Sequence, residues 1–325
     1  NIPDFVVIHR MYGGVDSFPL LAVPFFILAG NLMNSAGITN RIYNFALALV
    51  GWLKGGLGHV NVVGSMLFAG MSGTAIADAA GLGTIEIKAM KDHGYSTEFA
   101  VGVTAASATV GPIIPPSLPF VIYGMMAGVS IGQLFLAGVV PGILMGLVMM
   151  LTVAYYAHVR KYQSDARFSW GVLGRTFAEA FLAMMTPVLL VGGMTLGVFT
   201  PTEGAIAASA WALFLGLVWY RTLSWRMLVK ISMDTIETTA TVLFIVAAAS
   251  IFGWLLTVTR ITEDVATWIL SFTQSPAMFL LLANLLMLFV GCFLEPVAAI
   301  TLLVPVLIPI CKTLGIDLVH FGLVM

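Results

Sequence analysis

Two polar interruptions in apolar sequence are the places where this chain could do chemistry. The first is Ser72-Gly73-Thr74, followed four residues later by Asp78; the second is Gly111-Pro112-Ile113-Ile114-Pro115-Pro116-Ser117. Hydroxyls and opened backbone carbonyls offer oxygen, the ligand that a hard cation prefers, and unpaired amides at a helix start suit a carboxylate. Catalysis would need other groups. No His-Glu metal motif, no serine with a paired base and no pair of aspartates on facing helices is present, so the chain is read as a non-enzyme.

The elements around these breaks must hold them at depth in a membrane. Residues 57–87 are apolar but rich in glycine, and a spanning helix needs only about 20 residues. A run of roughly 30, broken at Ser72-Gly73-Thr74, has the length of two half-crossings. Arg41 and Lys54 precede it, and Lys88 and Lys91 follow, so basic residues place both ends on the cytoplasmic side. The reading is a re-entrant helical hairpin with its tip near the midplane. Irregular backbone is tolerated there only where protein buries it or it lines a polar cavity. Residues 97–127 then cross once, opened where Pro112, Pro115 and Pro116 remove backbone donors.

Composition agrees with that picture. Hydrophobic residues make up 60% and charged residues 9%, with a mean hydropathy of +1.03, the profile of an all-α polytopic membrane protein. A net charge of -1 gives nucleic acid nothing to bind. Cys292 and Cys311 sit in apolar runs and are expected to be buried, inert thiols. Residues 18–36 span, with Asn31 and Asn34 taken as interfacial, and 41–53 lie along the cytoplasmic face. Crossings follow at 131–158, 177–199, 205–220 and 231–258, and 261–273 form a second in-plane helix. The basic clusters Arg160, Lys161, Arg167 and Arg221, Arg226, Lys230 fall where alternation requires cytoplasm.

The chain also repeats itself. Met66-Leu67-Phe68-Ala69-Gly70 returns as Met287-Leu288-Phe289-Val290-Gly291, and Lys91-Asp92-His93-Gly94 as Lys312-Thr313-Leu314-Gly315, both at an offset of 221 residues. Five crossings separate the copies, and an odd number inverts the second. A second hairpin, 277–309 with its tip near Glu295-Pro296, therefore enters from the opposite face, the inverted-repeat plan of secondary transporters. In this register the partner of Pro115-Pro116 falls at about position 336, beyond Met325. The expectation is a chain that stops inside its second repeat.

Asp16-Ser17-Phe18-Pro19-Leu20-Leu21-Ala22-Val23-Pro24-Phe25, then Phe68-Ala69-Gly70-Met71-Ser72-Gly73-Thr74-Ala75 with Ala77-Asp78, then Gly111-Pro112 with Pro115-Pro116-Ser117, then Thr200-Pro201-Thr202-Glu203 resemble the large membrane (M) subunit of tripartite ATP-independent periplasmic (TRAP) transporters. The likeness runs along essentially the whole chain. It implies sodium-coupled uptake of a small organic acid, such as sialic acid or a C4-dicarboxylate, across the bacterial inner membrane. It implies a small membrane (Q-type) subunit and a periplasmic substrate-binding (P-type) protein as partners, and an elevator motion. In that scheme 1–56 form an N-terminal scaffold helix and an in-plane helix, 57–129 the first hairpin and broken helix of the transport domain, 130–275 scaffold and linking crossings, and 276–325 the second hairpin.

The resemblance places a sodium ion between the hairpin tip and the Pro-Pro break, at Ser72 and the carbonyls of Gly111, Ile114 and Pro116. Substrate falls to Ser72, Thr74, Ser117 and Glu295. Asp78 either orients the tip or touches the site. Ser107, with Thr104 one turn before it, either lines the pocket or bonds back to its own helix. Glu295, the repeat-mate of Thr74, either serves the second tip or holds its shape. Glu203 reads as a helix-start acid, Glu237 as scaffold, and none of His9, His59, His93, His158 and His320 as a ligand. The alternative function is a channel or passive scaffold subunit, for which rings of like charge or a filter sequence are missing.

Overall fold

The computed structural model describes residues 5–325; residues 1–4 of the expected N-terminal unit lie outside them. Helix α1 (Phe5–Val15) lies along the later helix α12 (Trp225–Val258), where Ser250 Oγ donates to the Arg10 carbonyl at 2.8 Å. A single 3-10 turn runs into α2 (Ala22–Ser35), and α3 (Ile38–Val50) follows with one buried face of Ile38, Ile42, Phe45 and Ala46.

The first hairpin is as the glycine pattern suggests. Its outgoing arm, α4 (Gly56–Ser72), starts after Gly55 and stops at Gly73, both in the left-handed region at φ +72 and +64. That conformation costs an L side chain and not glycine. The return arm is α5 (Ala75–Ala80), bent at Gly81 into α6 (Leu82–Asp92). A Cβ on Gly64 would stand 3.0 Å from Leu82 and 2.7 Å from Glu86 Oε1, so the arms close on each other across that glycine. Both feet meet one loop, the one that follows residue 159. Asp165 Oδ2 accepts from Leu57 N at 2.8 Å and from Tyr95 Oη at 2.6 Å, Gly55 N donates to Gln163 O at 3.0 Å, and Arg160 donates to Ser96 Oγ at 2.6 Å. Burial, together with the Asp165 carboxylate, raises the Tyr95 hydroxyl far above its ordinary range.

The two arms are unequal: α4 has 17 residues, about 26 Å at 1.5 Å per residue, whereas α5 has six before the bend at Gly81.

The opened crossing is α7 (Thr97–Ala108) and α8 (Leu118–Ala127), separated by the Pro-rich break. Helices α9 (Ile131–Val159), α10 (Trp170–Thr195), α11 (Pro201–Phe214) with its π-helical end, and α12 complete the five crossings between the hairpins. Thr200 and Glu203 form a capping box at the head of α11. Helix α9 packs glycines against the broken unit: Gly138 meets the Ile113 carbonyl, Gly142 the Ile114 side chain and Gly146 the Met66 thioether.

Helix α13 (Ile261–Phe272), expected to lie in the membrane plane, turns by 119° into α14 (Pro276–Gly291), and α15 (Pro296–Thr313) returns before α16 (Leu318–Val324). The repeat register holds in the helix boundaries. Shifted by 221 residues, the first residue of α5, Ala75, falls on Pro296, the first of α7, Thr97, on Leu318, and the last of α6, Asp92, on Thr313. Among the described residues six stretches are long and apolar enough to span, α15 among them. Cys311 is buried, but Cys292 is exposed: it sits at the turn of the second hairpin, where the helix has ended and nothing packs over it.

Candidate ion and substrate site

The first hairpin tip docks on the Pro-rich break. Leu118 N donates to the Gly73 carbonyl at 3.3 Å. A Cβ on Gly73 would stand 2.5 Å from Pro116 O, and one on Gly111 would stand 3.1 Å from Thr74 O, so glycine on both sides lets the two backbones meet. Prolines end α7 and leave carbonyls without partners. Among the described residues no hydrogen bond reaches the carbonyl of Gly111, Ile114 or Pro116. Beside them the hydroxyl of Ser72 is buried and also without a partner. Three bare carbonyls and one idle hydroxyl are the donor set a hard cation takes. The residues present therefore fit sodium on chemistry, and the interior cost of leaving them bare gives a reason for an ion to enter.

A cavity of about 280 Å³ opens next to this contact. Ser72 and Thr74 of the first tip line it, as do Pro112 and Leu118 of the break and Glu295 and Pro296 of the second tip. Both hairpins thus share one chamber. Thr74 Oγ1 caps its own helix by accepting from Ala77 N at 3.2 Å, which leaves its proton free to donate. Glu295 is the N-cap residue of α15 yet makes no side-chain cap bond, so its carboxyl is free to face the chamber.

The remaining expected residues are placed elsewhere. Ser117 does not line the chamber; its hydroxyl donates to the Pro112 carbonyl and accepts from Phe120 N at 3.2 Å, locking the break and capping α8. Ser107 and Thr104 belong to a buried chain with Asn61 and Ser65 that joins α4 to α7: Asn61 Nδ2 donates to Thr104 Oγ1 at 2.7 Å, and Ser107 Oγ to Asn61 Oδ1 at 2.6 Å. Asp78 is buried behind the tip and is not part of the chamber wall.

Two lining residues were read differently from sequence. Asn31 and Asn34 face the chamber rather than an interface, because α2 crosses against the hairpin and α12 at their level: Asn31 Nδ2 donates to Thr235 Oγ1 at 3.0 Å, and Asn34 packs on Gly81. Their signal was present, since polar side chains inside an apolar span mark a pathway. Thr238 of α12 completes that side.

The sequence matches the family described as "Tripartite ATP-independent periplasmic transporter, DctM component" over residues 1–325. It is 48% identical to the sialic acid TRAP transporter large permease SiaM of Vibrio cholerae, over 97% of this chain and 74% of that one. It is 37% identical to the C4-dicarboxylate TRAP transporter large permease DctM of Pseudomonas aeruginosa, over 97% and 74%, and 35% identical to the 2,3-diketo-L-gulonate permease YiaN of Escherichia coli, over 98% and 75%. The crystal structure of the Alcanivorax borkumensis YdaH transporter superposes with a TM-score of 0.63 at 14% identity, covering 97% of this chain and 74% of that one, which is a likeness of fold. With both tips, the break and the whole-length match in one register, the chain belongs to the DctM family, the large membrane component of tripartite ATP-independent periplasmic transporters, and is a multi-pass protein of the inner membrane.

Proposed function

We propose that this chain is the sodium-coupled permease of a three-part uptake system for a small carboxylate. The observation that carries the reading is the set of bare Gly111, Ile114 and Pro116 carbonyls and the idle Ser72 hydroxyl, beside a chamber walled by both hairpin tips. Sodium occupies the oxygen set and is carried as a coupling substrate. The acid lies in the chamber against Ser72, Thr74 and Glu295, and Ser117 serves by holding the Pro-rich break in shape. The identities above make sialic acid the first acid to test and C4-dicarboxylates the second.

Delivery falls to a periplasmic binding protein, with a small membrane subunit bracing the scaffold. Transport proceeds by an elevator movement of the hairpins and the broken helix. The glycine-mediated packing of α9 on that unit supports its travelling with the moving part, while α2, α10, α11 and α12 form the frame.

Uptake of labelled acid into proteoliposomes holding the complete system tests the reading. Accumulation is expected only with an inward sodium gradient and the binding protein, and Ser72→Ala is expected to raise the sodium concentration for half-maximal uptake with unchanged expression. Dissipation of gradients without either component would make the chain a channel, and wild-type sodium dependence in Ser72→Ala would remove Ser72 from the ion site.

A further inference from the structure

The return arm of the first hairpin carries two carboxyls that the site above does not use. Asp78 on α5 is 1% exposed and Glu86 on α6 is 2% exposed, and they are the only buried acids among the described residues. All four of their oxygens lack a hydrogen-bond partner. Ser65, the hydroxyl beside Asp78, turns its proton to Ser107 Oγ at 3.1 Å, and Ser107 in turn donates to Asn61. Space is also closed: the Gly64 backbone approaches Glu86 so tightly that a Cβ there would stand 2.7 Å from Oε1.

Nor does a counter-charge face them. The helices packed on this arm are α3, α4 and α7, with Asn34 of α2, a helix without titratable groups, set against Gly81. Their titratable or charged groups are Arg41, Tyr43, His59 and Glu98. Arg41 lies over the Tyr220 ring at 3.8 Å and donates to Gly37 O, Glu98 is exposed at the head of α7, and Tyr43 is a neutral phenol. His59 is buried, with Nδ1 itself unpartnered. On the arm itself Lys88 and Lys91 point outward. An unpaired carboxylate is strongly disfavoured when buried in this way, and the neutral acid is not.

We propose that Asp78 and Glu86 form a proton-binding site inside the first hairpin, where two carboxyls close between the arms as neutral acids. Each carboxylate takes a proton from a solvent hydronium ion before the arms close, and the acid gives it back to water when they part. The closed hairpin then binds more protons than the opened one, so its stability falls as pH rises. The site is separate from the chamber, whose wall includes neither residue, and it does not depend on sodium occupying the tip.

Infrared spectroscopy of the reconstituted transporter tests this directly. At neutral pH a carbonyl-stretch band of protonated carboxyls is expected, reduced in Asp78→Asn and in Glu86→Gln and lowest in the double variant. Residue-selective carbon-13 labelling of Asp and of Glu in the wild-type protein makes the same assignment without substitution: each label is expected to shift part of the band. Because the amides mimic neutral acids, thermal unfolding of the double variant is expected to lose the alkaline destabilisation of wild type. A band unmoved by both the labels and the variants overturns the proposal. A band that vanishes when sodium replaces choline also overturns it, making the pair an alkali-ion site.

Discussion

Gly73→Ala is the sharpest probe of how the first tip meets the break. Gly73 has φ +64, and an added Cβ would stand 2.5 Å from Pro116 O and 3.2 Å from Pro116 C. The left-handed conformation alone costs alanine about 1–2 kcal/mol. Gly128→Ala is the control for that part, because Gly128 has φ +69 and nothing within 4 Å of its Cβ position. The contact is the part peculiar to Gly73. Ordinary van der Waals distance begins at 3.4 Å, so the tip must withdraw by about 0.9 Å from a carbonyl held in a close-packed break. Overpacking of this kind costs about 1–3 kcal/mol. It is felt when the tip is docked and relieved when the tip lifts, so it subtracts from ion binding at the proposed site, which would need Ser72 and Pro116 together. A loss of 1–3 kcal/mol corresponds to about 5- to 150-fold weaker apparent sodium affinity. Both variants are assayed by thermal unfolding in detergent and by sodium-dependent uptake in proteoliposomes. Gly128→Ala should lose stability with wild-type sodium dependence, and Gly73→Ala should lose both. Equal sodium dependence in the two variants would mean that docking of the tip on Pro116 has no part in ion binding.

Three further outcomes follow from the same coordinates. Asp165→Ala strips the acceptor from Leu57 N and Tyr95 Oη, and leaving part-buried donors unmet should cost about 1–3 kcal/mol, read as a lower unfolding temperature, with Asp165→Asn milder. Glu295→Gln removes a carboxyl that makes no cap bond, so stability should stay within about 0.5 kcal/mol of wild type while the half-saturating acid concentration changes; an unfolding shift with unchanged uptake would show that Glu295 only shapes the tip. Asn31→Leu breaks the 3.0 Å bond to Thr235 across α2 and α12 and leaves the Thr235 hydroxyl bonded only to its own helix; maximal uptake should fall more than protein yield, measured by quantified expression.

Which parts of this arrangement were legible in the sequence depends on whether a residue's job is set by its own segment. Gly73 ends α4 in a conformation that glycine adopts without penalty, and Pro112, Pro115 and Pro116 stop α7 for want of donors, so both breaks could be placed from local chemistry. The 221-residue register survives because each helix start is a local event, down to Thr97 and Leu318. Tertiary neighbours decide the rest. Asn34 reads alike whether it faces headgroups or a chamber, and only its approach to Gly81 settles it. Ser117 and Ser107 have the right chemistry for a site, but their hydroxyls turn to Pro112 and Asn61. Glu86, beside Lys88 on a short arm, looks like a surface acid until the missing side chain of Gly64 is seen to make room for it.

The charge around the chamber gives the proposed coupling a physical reason. Its wall contains no lysine or arginine, and its one charged side chain is Glu295. A carboxylate substrate brought to about 5 Å from that group meets a repulsion of about 3 kcal/mol at an effective dielectric of about 20. Helix ends offer only partial relief, each worth about 0.3–1 kcal/mol, and α5, the helix behind Thr74, has only six residues before its bend. A cation in the neutral oxygen set supplies a full charge at the same tip. Built from carbonyls and a hydroxyl, that set adds no negative charge of its own, so the ion's charge is left to offset the acid and Glu295. On the proposed site the acid would then be held well only with the ion in place, and the ion most tightly with the acid present. That mutual dependence would join the two movements into one step.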